Sequence, residues 1–108
     1  MPTAVLLFRY SALTFNSHRI HYDRDYATGT EHYPGLVVQA PLLATLLVEF
    51  SREHAPGAHP RRFAFKAMSP LFDSRPVTLC GRNAAEGHQD LWARSPDSGI
   101  AMQARFDF

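Results

Sequence analysis

Pro41-Leu42-Leu43-Ala44-Thr45-Leu46-Leu47-Val48-Glu49-Phe50 is the stretch whose reading decides the fold. Proline suits the first turn of a helix, where its missing N–H costs nothing. Leu42, Leu43, Leu46, Leu47, Val48 and Phe50 then surround most of the axis, and Pro56-Gly57 supplies a stop. The pattern predicts a helix of about 14 residues, roughly 21 Å long. Because it is apolar nearly all round until Glu49, it belongs in an interior and not on a surface.

Beyond this helix the period changes from that of a helix to that of a strand. Phe63, Phe65 and Ala67 alternate with Ala64 and Lys66, Val77 and Leu79 with Thr78 and Cys80, and Ile100, Met102, Ala104, Phe106 and Phe108 with Ala101, Gln103, Arg105 and Asp107. Turn signals at Ser69-Pro70, Asp73 to Pro76, Asn83 to Gly87 and Ser95 to Gly99 divide three or four antiparallel strands. One buried helix followed by a strand meander implies an α+β layer architecture in which a curved antiparallel sheet wraps the helix. On the other side of the helix, Ala4 to Tyr10 is apolar and aromatic enough to be read as a strand. Residues 16–33 are polar, histidine-rich and without period, as in a long ordered loop with a helical turn near Asp23 to Ala27. Tyr33-Pro34-Gly35 marks a turn, and Leu36-Val37-Val38 a strand stub.

A chain of 108 residues with 45% hydrophobic and 19% charged residues is one domain with one core, residues 1–108, and nothing in it has a disordered composition. A formal net charge of +1 gives no footprint for nucleic acid or a membrane surface. Arg52, Arg61 and Arg62 form a loose basic cluster best read as solvated. The lone Cys80 excludes an intrachain disulfide and a thiolate metal site, and favours a reducing, cytoplasmic compartment. The opening MPTAVLLFRYSALTF lacks a basic leader and a cleavage site, and no apolar stretch is long enough to span a bilayer.

Chemistry concentrates in Asn16-Ser17-His18-Arg19-Ile20-His21-Tyr22-Asp23, where two imidazoles, an amide, a guanidinium and a carboxylate fall within a single loop. An imidazole with an ordinary pKa of ~6.5 both takes and gives a proton near neutrality. His18 and His21 have metal-like spacing, but no further ligand cluster in the sequence supports a metal. No nucleophilic serine motif, phosphate-cradling glycine loop or catalytic carboxylate pair stands out.

Phe8-Arg9-Tyr10-Ser11-Ala12-Leu13-Thr14-Phe15-Asn16, then His21-Tyr22-Asp23, then Tyr33-Pro34-Gly35-Leu36-Val37-Val38-Gln39-Ala40-Pro41-Leu42 resembles the MaoC-like hydratase and dehydratase family. The similarity is above all to the C-terminal hot-dog halves of hydroxyacyl-thioester dehydratases and of mesaconyl- or itaconyl-CoA hydratases. Met68-Ser69-Pro70-Leu71-Phe72-Asp73 and Leu91-Trp92-Ala93-Arg94 extend it over nearly the whole chain. The resemblance implies a hot-dog fold and a cofactor-independent hydro-lyase acting on a 2-enoyl or 3-hydroxyacyl thioester of coenzyme A or acyl carrier protein.

In that family an acidic residue and a histidine five positions later hold the water that is added or removed. The resemblance places His21 at the histidine and Asn16 at the acid. A neutral amide is no base, so Asn16 is left to orient water or imidazole while His21 moves the proton. A backbone amide at the start of the buried helix polarises the thioester carbonyl in the family, and that position falls on Ala40, where glycine is usual, followed by Pro41. His18, Arg19, Gly35 and Gln39 are expected to bind substrate. The nearest family members carry two hot-dog halves, of which this chain corresponds to the second, so a homodimer or a heterodimer with another hot-dog chain is expected. Two alternatives share the fold: a non-catalytic subunit that binds acyl thioester or completes a partner's site, and a thioesterase recruiting Asp23 or Glu49.

Overall fold

The computed structural model describes residues 1–55, 57, 59–82, 87–96 and 99–108. The helix around which the sequence is organised is present as α2, Ala40–His54, with Pro41 in its first turn. Its end falls where expected, although Pro56 itself lies outside the described residues. Leu42, Leu43, Ala44 and Leu47 are buried, and Leu46, Val48 and Phe50 pack partly buried against them. The apolar girdle is thus enclosed on most sides, as its composition requires.

Four antiparallel strands follow: β1, Arg62–Ala67; β2, Thr78–Gly81; β3, His88–Ser95; and β4, Gly99–Asp107. They form one sheet in the order β1-β4-β3-β2. Registers Phe63↔Phe106 and Phe65↔Ala104 on one side, and Leu91↔Ala104 and Ala93↔Met102 on the other, put Leu91, Ala93, Met102, Ala104 and Phe106 into one core with α2. The bond from Ser51 Oγ to Gln89 Oε1, 2.7 Å, pins α2 to β3 within that core. Turns expected at Asn83 to Gly87 and Ser95 to Gly99 lie partly outside the described residues, but Gly87 and Gly99 have φ of 80° and 63°. Those are left-handed conformations that glycine adopts without strain.

The strand expected over Ala4 to Tyr10 is instead a helix, α1, Ala4–Leu13. Thr3 is its cap, with Oγ1 accepting from Leu6 N–H at 3.1 Å, and this satisfies a donor that a strand would not strand. Leu7 and Ser11 are its buried residues and stand one above the other at i, i+4. The apolar residues outside that narrow stripe, Val5, Phe8 and Leu13 among them, are exposed and hide the helical period in the sequence.

The aperiodic segment is ordered by short turns. A 3-10 turn spans Arg19–His21 and a π-helical turn Tyr26–Thr30, with Asp23 Oδ1 accepting from Tyr26 N–H at 3.1 Å. The expected turn near Asp23 to Ala27 is therefore present and runs further toward Thr30. Leu36-Val37-Val38 is a stub as read, forming a single bridge between Val37 and Phe72.

Candidate active site

Three elements converge on the N-terminus of α2. Phe15, at φ 53°, turns the chain sharply after α1, and Asn16 N–H then donates to Ser11 C=O at 2.9 Å. This carries Asn16 and the 3-10 turn back toward the segment that enters α2. Val37 locks the two together, since its N–H donates to Ile20 C=O at 2.9 Å while its C=O receives His21 Nδ1 at 2.7 Å.

That second bond fixes the state of His21. A carbonyl only accepts, so Nδ1 carries the hydrogen and the neutral ring presents Nε2 as a bare lone pair. His21 is 9% exposed. Burial, with the Val37 bond opposing it and the neighbouring His18 adding to it, holds the His21 pKa below the ordinary histidine value. The ring is therefore neutral and basic at pH 7, which is the form a proton acceptor needs.

His21 opens onto a groove of about 480 Å³ lined also by Asn16, Gln39, Ala40, Leu43, Ser69 and Met102. Ala40 is the first residue of α2, where backbone N–H groups have no acceptor within the helix and the dipole is positive. The side chain of Gln39, the cap residue, makes no capping bond. It is turned away, with Nε2 donating to Leu7 C=O at 2.8 Å and to Ser11 Oγ at 2.9 Å. The groove thus holds a base at one point and a helix N-terminus at another, on largely apolar walls.

Asn16, His21, Gln39 and Ala40, all singled out in the sequence, line this groove together. Asn16 Oδ1 accepts from His18 N–H at 3.1 Å, which ties its amide to the 3-10 turn. The others of the set stand elsewhere. His18 is exposed, caps the 3-10 turn and lies edge-on to His21 with ring centroids 5.8 Å apart. Among the described residues no group of three metal-ligating side chains includes that pair. Arg19 is paired with Asp23 at 2.9 Å and lies 4.3 Å over the Tyr26 ring. Gly35 lies under the Asp73 carboxylate, outside the groove lining.

Ser69, Met68, Pro70 and Leu71 of the β1–β2 connection also line the groove, as do Ala101 and Met102 of β4. Ser69-Pro70 reads in sequence as a turn within the family resemblance, with no site role attached. What brings it to the site is long-range pairing: Met68 and Ser69 N–H both donate to Ala101 C=O, at 2.8 and 3.2 Å. No carboxylate is among the described residues lining the groove: Asp23 faces Arg19, and Glu49 is paired with Arg52 at 2.9 Å on the exposed side of α2.

Residues 1–73 match the family of hydroxyacyl-thioester dehydratase type 2. Mesaconyl-C(4)-CoA hydratase of Chloroflexus aurantiacus is 50% identical over 105 residues, which are 96% of this chain and 36% of that protein. The mitochondrial hydroxyacyl-thioester dehydratase type 2 of Schizosaccharomyces pombe is 44% identical over 81 residues, 73% of this chain and 27% of that protein. The chain therefore spans about a third or less of the length of these curated relatives. Among solved structures, the ChsH1-ChsH2 complex from Mycobacterium tuberculosis superposes with TM-score 0.78 at 15% identity, over 97% of this chain and 85% of that one. The (R)-hydratase from A. caviae superposes with TM-score 0.75 at 20% identity, over 96% and 84%. The fold is the hot-dog, and the chain belongs to the hydroxyacyl-thioester dehydratase type 2 family.

Proposed function

We propose that this chain carries the catalytic groups of a hydro-lyase that reversibly hydrates a 2-enoyl thioester of coenzyme A or acyl carrier protein to the 3-hydroxyacyl thioester. The observation that carries the reading is the His21 ring, buried, neutral and pinned through Nδ1 to Val37 C=O, in the same groove that the start of α2 lines. In the hydration direction the water oxygen bonds to C3 as His21 Nε2 takes one of its protons. The C2–C3 π electrons move toward the thioester oxygen, where the Ala40 N–H and the α2 dipole stabilise the enolate. The imidazolium then returns its proton to C2, regenerating the neutral base. Asn16 donates through Nδ2 and positions; it moves no proton. A thioesterase mechanism needs a carboxylate aimed at the carbonyl, and the groove lining described offers none.

The test is turnover of crotonyl-CoA and mesaconyl-CoA, followed as loss of enoyl absorbance. Wild type is expected to turn over at least one. His21→Ala is expected to lose about 10²- to 10⁴-fold, the contribution of a positioned acid–base group. An inert, folded wild type sinks the hydro-lyase reading in favour of a subunit that only binds thioester.

The reading includes a second hot-dog domain, as a copy of this chain or a separate one. The accessible surface, 6777 Å², exceeds the roughly 6,100 Å² that scaling gives for a monomer of this mass. The excess is apolar in part: Leu13 is 80% and Phe15 95% exposed, and Val5, Phe8, Phe65 and Met68 are exposed as well. A solution mass of one chain contradicts this. A cytoplasmic location belongs to the same proposal; among the described residues no helix is long and apolar enough to cross a membrane.

A further inference from the structure

A second groove, about 600 Å³ against about 480 Å³ for the one at His21, opens on the sheet. Leu91, Ala93, Ala104 and Phe106 belong to the core with α2, so the alternate positions Asp90, Trp92, Gln103 and Arg105 stand on the opposite face. Strand pairing sets them in two rows: Ala64, Arg105 and Asp90 in one, and Lys66, Gln103 and Trp92 in the next. Arg82, whose N–H donates to Asp90 C=O at 3.0 Å, extends the first row. All of these line the groove.

The outward face of an antiparallel sheet is ordinarily polar and solvated, and interspersed charges of both signs suffice for that. This groove instead has Lys66, Arg82 and Arg105 against Asp90, a net +2 in a chain whose formal net charge is +1. Arg105 and Lys66 are diagonal neighbours across β1 and β4, where like charges repel. Arg105 Nε donates to Asp107 Oδ1 at 2.9 Å, and Asp90 Oδ2 lies 3.9 Å from His88 Nε2. Among the described residues neither Lys66 nor Arg82 is in an ion pair, and no cation lies over the half-buried Trp92 ring. Unpaired cations call for an anion, an open indole face for a flat ring, and a concavity within roughly 300–1,000 Å³ for a small molecule. We infer that this groove binds a nucleoside phosphate. The base stacks on Trp92, the phosphate oxygens accept from Lys66, Arg82 and Arg105, and Asp90 and Gln103 meet the polar edge of the base or sugar. Free nucleotides carry this chemistry, and so does the nucleotide end of a coenzyme A thioester. The site itself stands without the hydration reading.

Trp92 is the single tryptophan of the chain, so its emission reports on this groove directly. The experiment titrates the protein with ADP, coenzyme A and inorganic pyrophosphate at low salt, where exposed charges are least screened. A saturable change in emission with ADP is expected, at an affinity about 5- to 150-fold above that for pyrophosphate, the contribution of stacking one base. Lys66→Ala and Arg82→Ala, at exposed side chains, are expected to weaken ADP about 3- to 10-fold each while urea unfolding stays unchanged. No saturable change with ADP overturns the inference. Equal affinities for ADP and pyrophosphate also overturn it, since they describe a face that only collects anions, as does ADP binding that survives both substitutions intact. The source of the nucleotide is read from turnover. Competition of ADP with crotonyl-CoA, and a raised crotonyl-CoA KM in Arg82→Ala, support the site with the substrate's own carrier as its occupant. ADP binding that leaves that KM unchanged supports it with a free nucleotide. An inert wild type defeats the hydration reading alone, because the emission titrations need no turnover.

Discussion

Gly35→Ala tests how the site is built. A Cβ at this position would stand 2.8 Å from Asp73 Oδ1, closer than real side-chain contacts approach. The carboxylate cannot simply swing away, because it is 7% exposed and tied down on three sides. Oδ1 accepts from Leu36 N–H at 3.0 Å and from Arg24 Nη1 at 3.3 Å, and Oδ2 from Arg24 Nη2 at 2.6 Å. Making room for one methyl group means giving up the Leu36 bond or the Arg24 fork, at a cost of about 1–3 kcal/mol for a buried acceptor. In a domain of this size each kcal/mol lowers Tm by about 4–8 °C. Urea unfolding at fixed protein concentration is the assay, since a change of oligomeric state alone shifts apparent stability. Turnover should fall as well, because Val37, whose C=O aims His21, lies two residues along the displaced strand stub. A stability unchanged to within a few tenths of a kcal/mol, with a raised KM, would refute this account and return Gly35 to the substrate contact expected from the sequence.

Three further outcomes follow from the same geometry. Because burial lowers the His21 pKa, the unfolded chain binds more protons than the folded one between the folded value and ~6.5. Stability should therefore fall as pH drops through 6.5 and level off below the folded value, and the acid limb of kcat/KM should have its midpoint below 6.5; a midpoint above 6.5 contradicts the lowered pKa. Asn16→Asp sets a carboxylate near the ring and should move that limb upward, because a neighbouring negative charge favours the imidazolium; an unmoved limb would place Asn16 too far from His21 to act on it. Leu47 is fully buried in mid-α2, so Leu47→Ala should cost about 2–5 kcal/mol in chemical unfolding, and a loss below 1 kcal/mol would mean that α2 is not the centre of the core.

The sequence by itself determined α2 and the strands β1, β2 and β4, because each has a clear period: an apolar girdle broken at Glu49 for the helix, and alternation for the strands; no alternation is read for β3, His88–Ser95. Through its resemblance to a family it also singled out His21, Asn16, Gln39 and Ala40, which the fold brings to one groove. It misjudged α1, where an apolar run that the chain leaves exposed carries no visible period and Thr3 as a cap is the only local sign of a helix. Tertiary structure alone decided the rest. The orientation of His21 depends on Val37, sixteen residues away in the chain, Gln39 is held by α1, and Gly35 is shaped by Asp73. Ser69 reaches the groove only through Ala101. Local composition records which groups can move a proton, but the direction in which each one points is set by hydrogen bonds between segments that meet only when the chain has folded.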